Sequence, residues 1–156
     1  MKITLLTVGK TDIGWVREGL ETYVARLRHY VPVELHEIPE LKNVASLTQA
    51  QIKEKEGERI LAVVKPADTV LLLDEAGKEY RSVEFAREIE RRLSAGKNLV
   101  FIVGGAYGFS DAVYRRGDGK VSLSKMTFSH QMVRAVFAEQ LYRAFTILRG
   151  EPYHHE

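Results

Sequence analysis

An α/β domain, with a mostly parallel sheet covered by helices on both faces, is the fold that the order of apolar segments predicts. Three observations carry it. Apolar runs of strand length alternate along the chain with segments of helical period. The runs are nearly continuous in apolar residues rather than alternating with polar ones, as in strands buried on both faces. Finally, 156 residues with 45% hydrophobic content suffice for one core and are too few for two ordinary domains, so residues 1–156 read as a single domain.

The first strand is expected at Ile3–Val8; its apolar run reaches Gly9-Lys10 without a small-residue cleavage pattern, so it reads as a buried strand and not as a signal. A helix follows over 14–28, then a strand at Val33–Ile38. The stretch 39–47 is the most loop-like, and 47–64 has helical period; its charge run Lys53-Glu-Lys-Glu-Gly-Glu-Arg59 reads as a solvated face. A third strand is expected over 70–73, with a helix over 83–93 behind Ser82 as N-cap and Glu84 in its first turn. A strand at Leu99–Val103 and a short helix at Asp111–Arg116, capped by Ser110, come next. A short strand over 121–123 precedes a last helix over 131–149, for which Gly150 and Pro152 form the stop. Val133, Val136, Phe137, Leu141, Ala144, Phe145 and Leu148 make a core stripe on that helix. Ala135, Ala138 and Tyr142 widen it, either for a partner subunit or for a broader contact within the chain.

No run approaches the ~18 apolar residues of a membrane span. The absence of cysteine removes disulfides and thiolate metal sites and fits a cytoplasmic setting. The net charge of +2 is small, but residues 1–75 are net acidic and 76–156 net basic, so a polyanion would meet the second half.

In parallel sheets ligands bind beyond the carboxyl ends of the strands, and the candidate residues gather there. Gly104-Gly-Ala-Tyr-Gly-Phe-Ser110 follows the fourth strand, where Gly104 and Gly105 allow close backbone approach to a ligand; it reads either as such a cradle or as a tight turn. It lacks the Lys-Ser/Thr of a P-loop and the spacing of a dinucleotide fingerprint, which argues against an ATPase or a standard NAD site. Leu123, Ser124, Lys125, Met126, Thr127 and Phe128 leave the fifth strand and mix apolar with hydrogen-bonding groups, suiting a ligand with an apolar ring and polar edges, or else plugging the core. If the fourth and fifth strands are neighbours, the two loops share one pocket. Leu73-Asp-Glu-Ala-Gly-Lys78 ends the third strand similarly, its carboxylates serving the site or only a solvated turn.

His130 stands just before the last helix as a cap, a packing residue or a catalyst. Tyr153, His154 and His155 form an aromatic-histidine cluster in a tail, where structure alone has little use for one, and histidine exchanges protons near neutral pH. No ligand spacing suggests a metal. Glu139 and Arg143 are spaced for an ion pair; alternatively Arg134, Arg143 and Arg149 line an RNA path.

Taken together, Met1-Lys-Ile-Thr with Val8-Gly-Lys10, Glu54-Lys-Glu-Gly-Glu-Arg-Ile-Leu61, Leu73-Asp-Glu-Ala-Gly-Lys78, Val103-Gly-Gly105, Leu123-Ser-Lys-Met-Thr-Phe-Ser-His130 and Leu141-Tyr-Arg-Ala resemble, end to end, the RlmH (YbeA) family of large-subunit ribosomal RNA pseudouridine methyltransferases, of the SPOUT class. The resemblance implies a C-terminal trefoil knot, a homodimer, S-adenosylmethionine as cofactor, and methylation of N3 of a pseudouridine in the assembled ribosome. It implies cofactor contacts at Leu73, Gly104, Gly105 and Leu123 to Phe128, and a base or anion-stabilising group among His130, Tyr153, His154 and His155, the tail being donated across the dimer. Where the family usually has Arg or Lys after Pro-Tyr-His, this chain has His155, which would carry a charge only when protonated. Two other readings compete: a ribosome-binding or assembly factor that kept the fold and lost turnover, and a flavodoxin-like module for another small ligand.

Overall fold

The computed structural model describes residues 1–155. Five strands, β1 (Ile3–Val8), β2 (Val33–Ile38), β3 (Thr69–Glu79), β4 (Leu99–Val103) and β5 (Gly119–Ser122), alternate with five helices, α1 (Gly14–Leu27), α2 (Gln49–Val63), α3 (Ser82–Ser94), α4 (Asp111–Arg116) and α5 (Met132–Leu148). The strands form one sheet in the order β2-β1-β4-β3-β5, and every pairing is parallel. Helices α1, α3 and α5 bury Leu20, Phe85, Ile89, Phe137 and Leu141 on one face; α2 and α4 bury Ile60 and Val113 on the other. Both faces are therefore covered, as continuous apolar strands require.

The helix ends show which local signals the fold uses. Thr48 caps α2 reciprocally: its hydroxyl accepts from the Gln51 N–H at 3.1 Å while the Gln51 carboxamide accepts from the Thr48 N–H at 2.8 Å. Ser110 caps α4 as expected. Ser82 does not cap α3 but lies inside its first turn; the cap position is Arg81, whose N–H is taken by the Glu84 carboxylate at 2.9 Å. Gly150, at φ +66, ends α5, with the Glu151 N–H returning to the Thr146 carbonyl.

Two features differ from expectation and build the site. β4 and β5 are not neighbours, because β3 runs between them. β3 also continues well past Leu73: both Leu73 and Lys78 register against Val121, so residues 74–77 arch out of the ladder over the strand end. Gly77 makes that arch possible, since a Cβ there would lie 2.7 Å from the Lys120 carbonyl carbon.

Candidate functional site

Beyond the carboxyl ends of β3, β4 and β5 lies a pocket of about 640 Å³, within the range of small-ligand sites. Three segments converge on it: the arch with Leu73, Asp74 and Glu75, the glycine loop 104–109, and the loop after β5 with Leu123, Ser124, Met126, Thr127 and Phe128. The two predicted loops thus meet although their strands are separated, since the end of β3 bridges them. His130 and Val133, from the start of α5, complete the wall with Tyr114 of α4 and Gln49 of α2. Among the cofactor candidates only Lys125 fails to line the pocket; it is exposed.

The glycine loop closes on itself through Gly105 and Gly108, the latter at φ +83, where L side chains are strained. Phe109 packs so closely beneath Gly104 that a Cβ there would sit 3.1 Å from the ring. Side-chain bonds fix the rim: Tyr114 donates its hydroxyl to Asp74, and Thr127 donates to Glu75 at 2.5 Å. Burial, then the Asp74 bond, pushes the Tyr114 phenol up to about 12, so it stays a neutral donor. The result is a cleft with apolar walls at Val103, Val121 and Leu123, the glycine loop along it and the two acidic residues Asp74 and Glu75 at its rim. Such a lining suits a flat heterocycle joined to a cationic chain.

Behind the loop sits Glu56, which the sequence reading left on a solvated helix face. Its Oε1 is buried without a hydrogen-bond partner, and a Cβ on Gly105 would meet both carboxylate oxygens at 2.7 Å. Burial, then the nearby Glu40 charge, raises its pKa. Because the folded value lies above the unfolded one, its favourable contribution is complete at low pH and is lost as pH rises through the folded value. Glu56→Gln is therefore expected to stabilise the protein by about 0.5 kcal/mol near pH 8, a figure kept small because the side chain is only partly withdrawn from water. The gain should vanish as pH falls below the unfolded carboxyl value, toward about pH 4. Parallel thermal melts check this; a variant melting below the parent at both values would refute it.

The structure takes Arg134 out of the expected RNA path along α5. Arg134 is fully buried. Its guanidinium donates to the carbonyls of Val8, Gly9 and His130 and to the Thr11 hydroxyl, at 2.8–2.9 Å, so nothing is left to face RNA. Arg143 is held by Glu139 at 2.6 Å and His154 Nδ1 at 3.1 Å, and Arg149 lies over the Tyr30 ring. The tail does not fray: the Tyr153 hydroxyl donates to Glu139 at 3.0 Å, with its ring edge-on to Tyr142 and beneath Arg143. Tyr153, His154 and the exposed His155 do not line the pocket of their own chain, whereas His130 does. Sequence reasoning also missed Gln49 and Tyr114 as pocket residues; only Tyr114, four residues beyond the Ser110 cap and thus one turn into α4, had a signal to follow.

No helix is long and apolar enough to cross a membrane, and no cluster of three metal-ligating side chains occurs among the described residues. A family model described as "Predicted SPOUT methyltransferase" matches residues 1–154. Curated relatives named "Ribosomal RNA large subunit methyltransferase H" cover the whole chain over their own whole length: those of Parabacteroides distasonis and Bacteroides fragilis are 55% identical, and that of Flavobacterium johnsoniae 52%. With the pocket built from the loops that carry the resemblance, the chain belongs to the SPOUT methyltransferase family, alongside these ribosomal RNA large subunit methyltransferases.

Proposed function

We propose that this protein transfers a methyl group from S-adenosylmethionine to N3 of a pseudouridine in large-subunit ribosomal RNA, acting in the cytoplasm as a homodimer on the assembled ribosome. The observation that carries the reading is the convergence of the arch, the glycine loop and the loop after β5 on one cleft. The trefoil knot belongs to the same reading, through the family.

The lining fits the cofactor. Val103, Val121, Leu123 and Phe128 would take the adenine, the glycine-loop amides its polar edges, and Asp74 and Glu75 the positive charge of its amino-acid end. Bound there, the cofactor supplies an electrophilic methyl group on a sulfonium. The chain's part is to hold the acceptor nitrogen in line, exclude water, and stabilise the anion left when the imide loses its proton. His130 is the candidate within the pocket; Tyr153, His154 and His155 are candidates from the second subunit. A homodimer fits the exposed apolar side chains at the starts of α1 and α5, Ile13, Trp15 and Met132.

The test is a methylation assay with labelled cofactor on ribosomes from a strain lacking this gene, followed by mapping of the modified base. Label at one pseudouridine of the large subunit, absent with ribosomes from the parent strain, is the expected result. Calorimetry should show one cofactor site per chain. Cofactor binding without label transfer to any ribosomal RNA would instead favour the non-catalytic assembly factor, and no cofactor binding would overturn the reading of the cleft.

A further inference from the structure

Arg134 is buried and Arg143 is held by Glu139, while a second recess carries positive charge at the surface. It lies between α3 and the β3–β5 edge, with a volume of about 280 Å³. Lys78, Arg91, Arg92 and Lys120 line it with one carboxylate, Glu88. Glu88 does not cancel the site but orients it. Its oxygens take Nε and Nη2 of Arg91 and Nε of Arg92 at 2.6–3.0 Å, leaving Nη1 of Arg91 and both terminal nitrogens of Arg92 to other acceptors. Arg92 Nη2 reaches to 3.4 Å from where a Cβ on Gly119 would stand, so the glycine keeps this end of the recess open to a guanidinium.

Position gives the recess its meaning. Val121 lines both this recess and the cofactor cleft, so the two cavities adjoin through one residue of β5. β5 is also the outer strand of the sheet, where no further strand covers Lys120. Lys78 and Arg91 are exposed as well, and Lys78 Nζ sits 4.9 Å above the Tyr80 ring at the recess wall. A fork of guanidinium N–H groups beside the flexible Lys78 ammonium matches phosphate oxygens better than it matches a protein surface, while the Lys120 ammonium turns to the other side of β5, 5.7 Å from the Tyr114 ring. The cluster also explains why the second half of the chain is the basic one.

Resting on the function proposed above, we propose that this recess binds backbone phosphates of the ribosomal RNA beside the target nucleotide, and so holds that nucleotide over the adjoining cofactor cleft. Phosphate contacts of this kind set register and affinity without reading sequence. The test uses the full chain carrying Lys78→Glu and Arg91→Glu, with Lys78→Ala and Arg91→Ala as a milder pair, and Lys42→Glu with Lys65→Glu as a charge-matched control on exposed residues outside the recess. Binding to purified large ribosomal subunits is measured across a salt series, beside cofactor affinity by calorimetry and the kcat and KM of methyl transfer.

The expected result is subunit binding weakened about tenfold or more by the reversal pair, with the slope of log affinity against log salt shallower by about 2. KM should rise while kcat at saturation and cofactor affinity stay at parental values, and the alanine pair should fall between. Parental affinity and salt slope in the reversal pair would overturn the proposal. So would an equal loss in the control, which would assign the effect to total charge. Binding that depends on the recess in a protein that transfers no methyl group would uphold the grip and overturn only the enzymatic reading.

Discussion

Replacing Arg134 with alanine is expected to remove about 3–5 kcal/mol of stability, the cost of breaking a buried charged network by deleting one partner. The guanidinium is the joint between the end of β1, the loop after it and the start of α5. It holds the carbonyls of Val8, Gly9 and His130 and the hydroxyl of Thr11, and Gln131 beside it binds the Lys10 carbonyl and the Asp12 N–H. Alanine takes a donor from the carbonyls of Val8, Gly9 and His130, of which Gly9 keeps the Thr7 hydroxyl, and leaves a cavity where a fully buried side chain stood. Lysine offers no rescue, because one ammonium cannot fan across acceptors on three segments. Burial lowers the Arg134 pKa and Glu37, at 3.6 Å, works against that, so the charge is held in place by its surroundings.

Glu37 gives the same network an acid limit. Burial raises its pKa, but the Thr11 hydroxyl and N–H and the Arg17 guanidinium outweigh burial and leave it below the usual carboxylate value. Its stabilisation is therefore present above the unfolded value and lost as pH falls through the folded one. Denaturant unfolding of Arg134→Ala decides the matter: a loss under about 1 kcal/mol together with weaker RNA binding would return Arg134 to the surface role its charge implied. A drop in melting temperature of about 10 °C is the corresponding signature in a domain of this size.

That arginine shows where the sequence was misleading. Charged residues are mostly exposed, and Arg134 on a helix near other arginines reads as surface unless its backbone partners, more than 120 residues away in sequence, are known. β1 and β4 were legible to their end residues because each is a nearly continuous apolar run, and β2, Val-Glu-Leu-His-Glu-Ile, because apolar residues mark both its ends and its middle. β3 was legible only as far as Leu73; beyond it come polar residues and a glycine, which have the composition of a loop and pair as strand only because Val121 accepts two partners across the arch. The α/β alternation was written in the chain, but the order across the sheet was not, since nothing local to β4 or β5 says that β3 lies between them. The glycine loop and the loop after β5 were nonetheless found, because special backbone needs and mixed lining chemistry are local signals. Glu56 left none: its burial depends on Gly105 having no side chain, a fact of packing.

Truncation after Pro152 is expected to leave cofactor affinity unchanged and to slow methyl transfer by about 100-fold or more, the scale on which a positioned proton acceptor or anion-stabilising group contributes. The tail is docked with specific chemistry far from incidental packing. Burial and the bonds to Tyr23 and Glu139 raise the Tyr153 pKa, so its hydroxyl remains a donor. Arg143 has only donors, so His154 Nδ1 must accept from it, which puts the ring proton on Nε2 and suits His154 to stabilising a developing anion rather than to taking a proton. Yet none of these side chains lines the pocket of its own chain, and a second copy is the means by which they would reach one. Mixing decides it. The truncated chain keeps its pocket, and Leu123→Trp, with its pocket filled, keeps its tail; neither alone should be active. If the tail acts across the dimer, refolding the two together restores about a quarter of the parental activity, because half the dimers are mixed and each holds one complete site. If the tail acts within its own chain, no mixture recovers any.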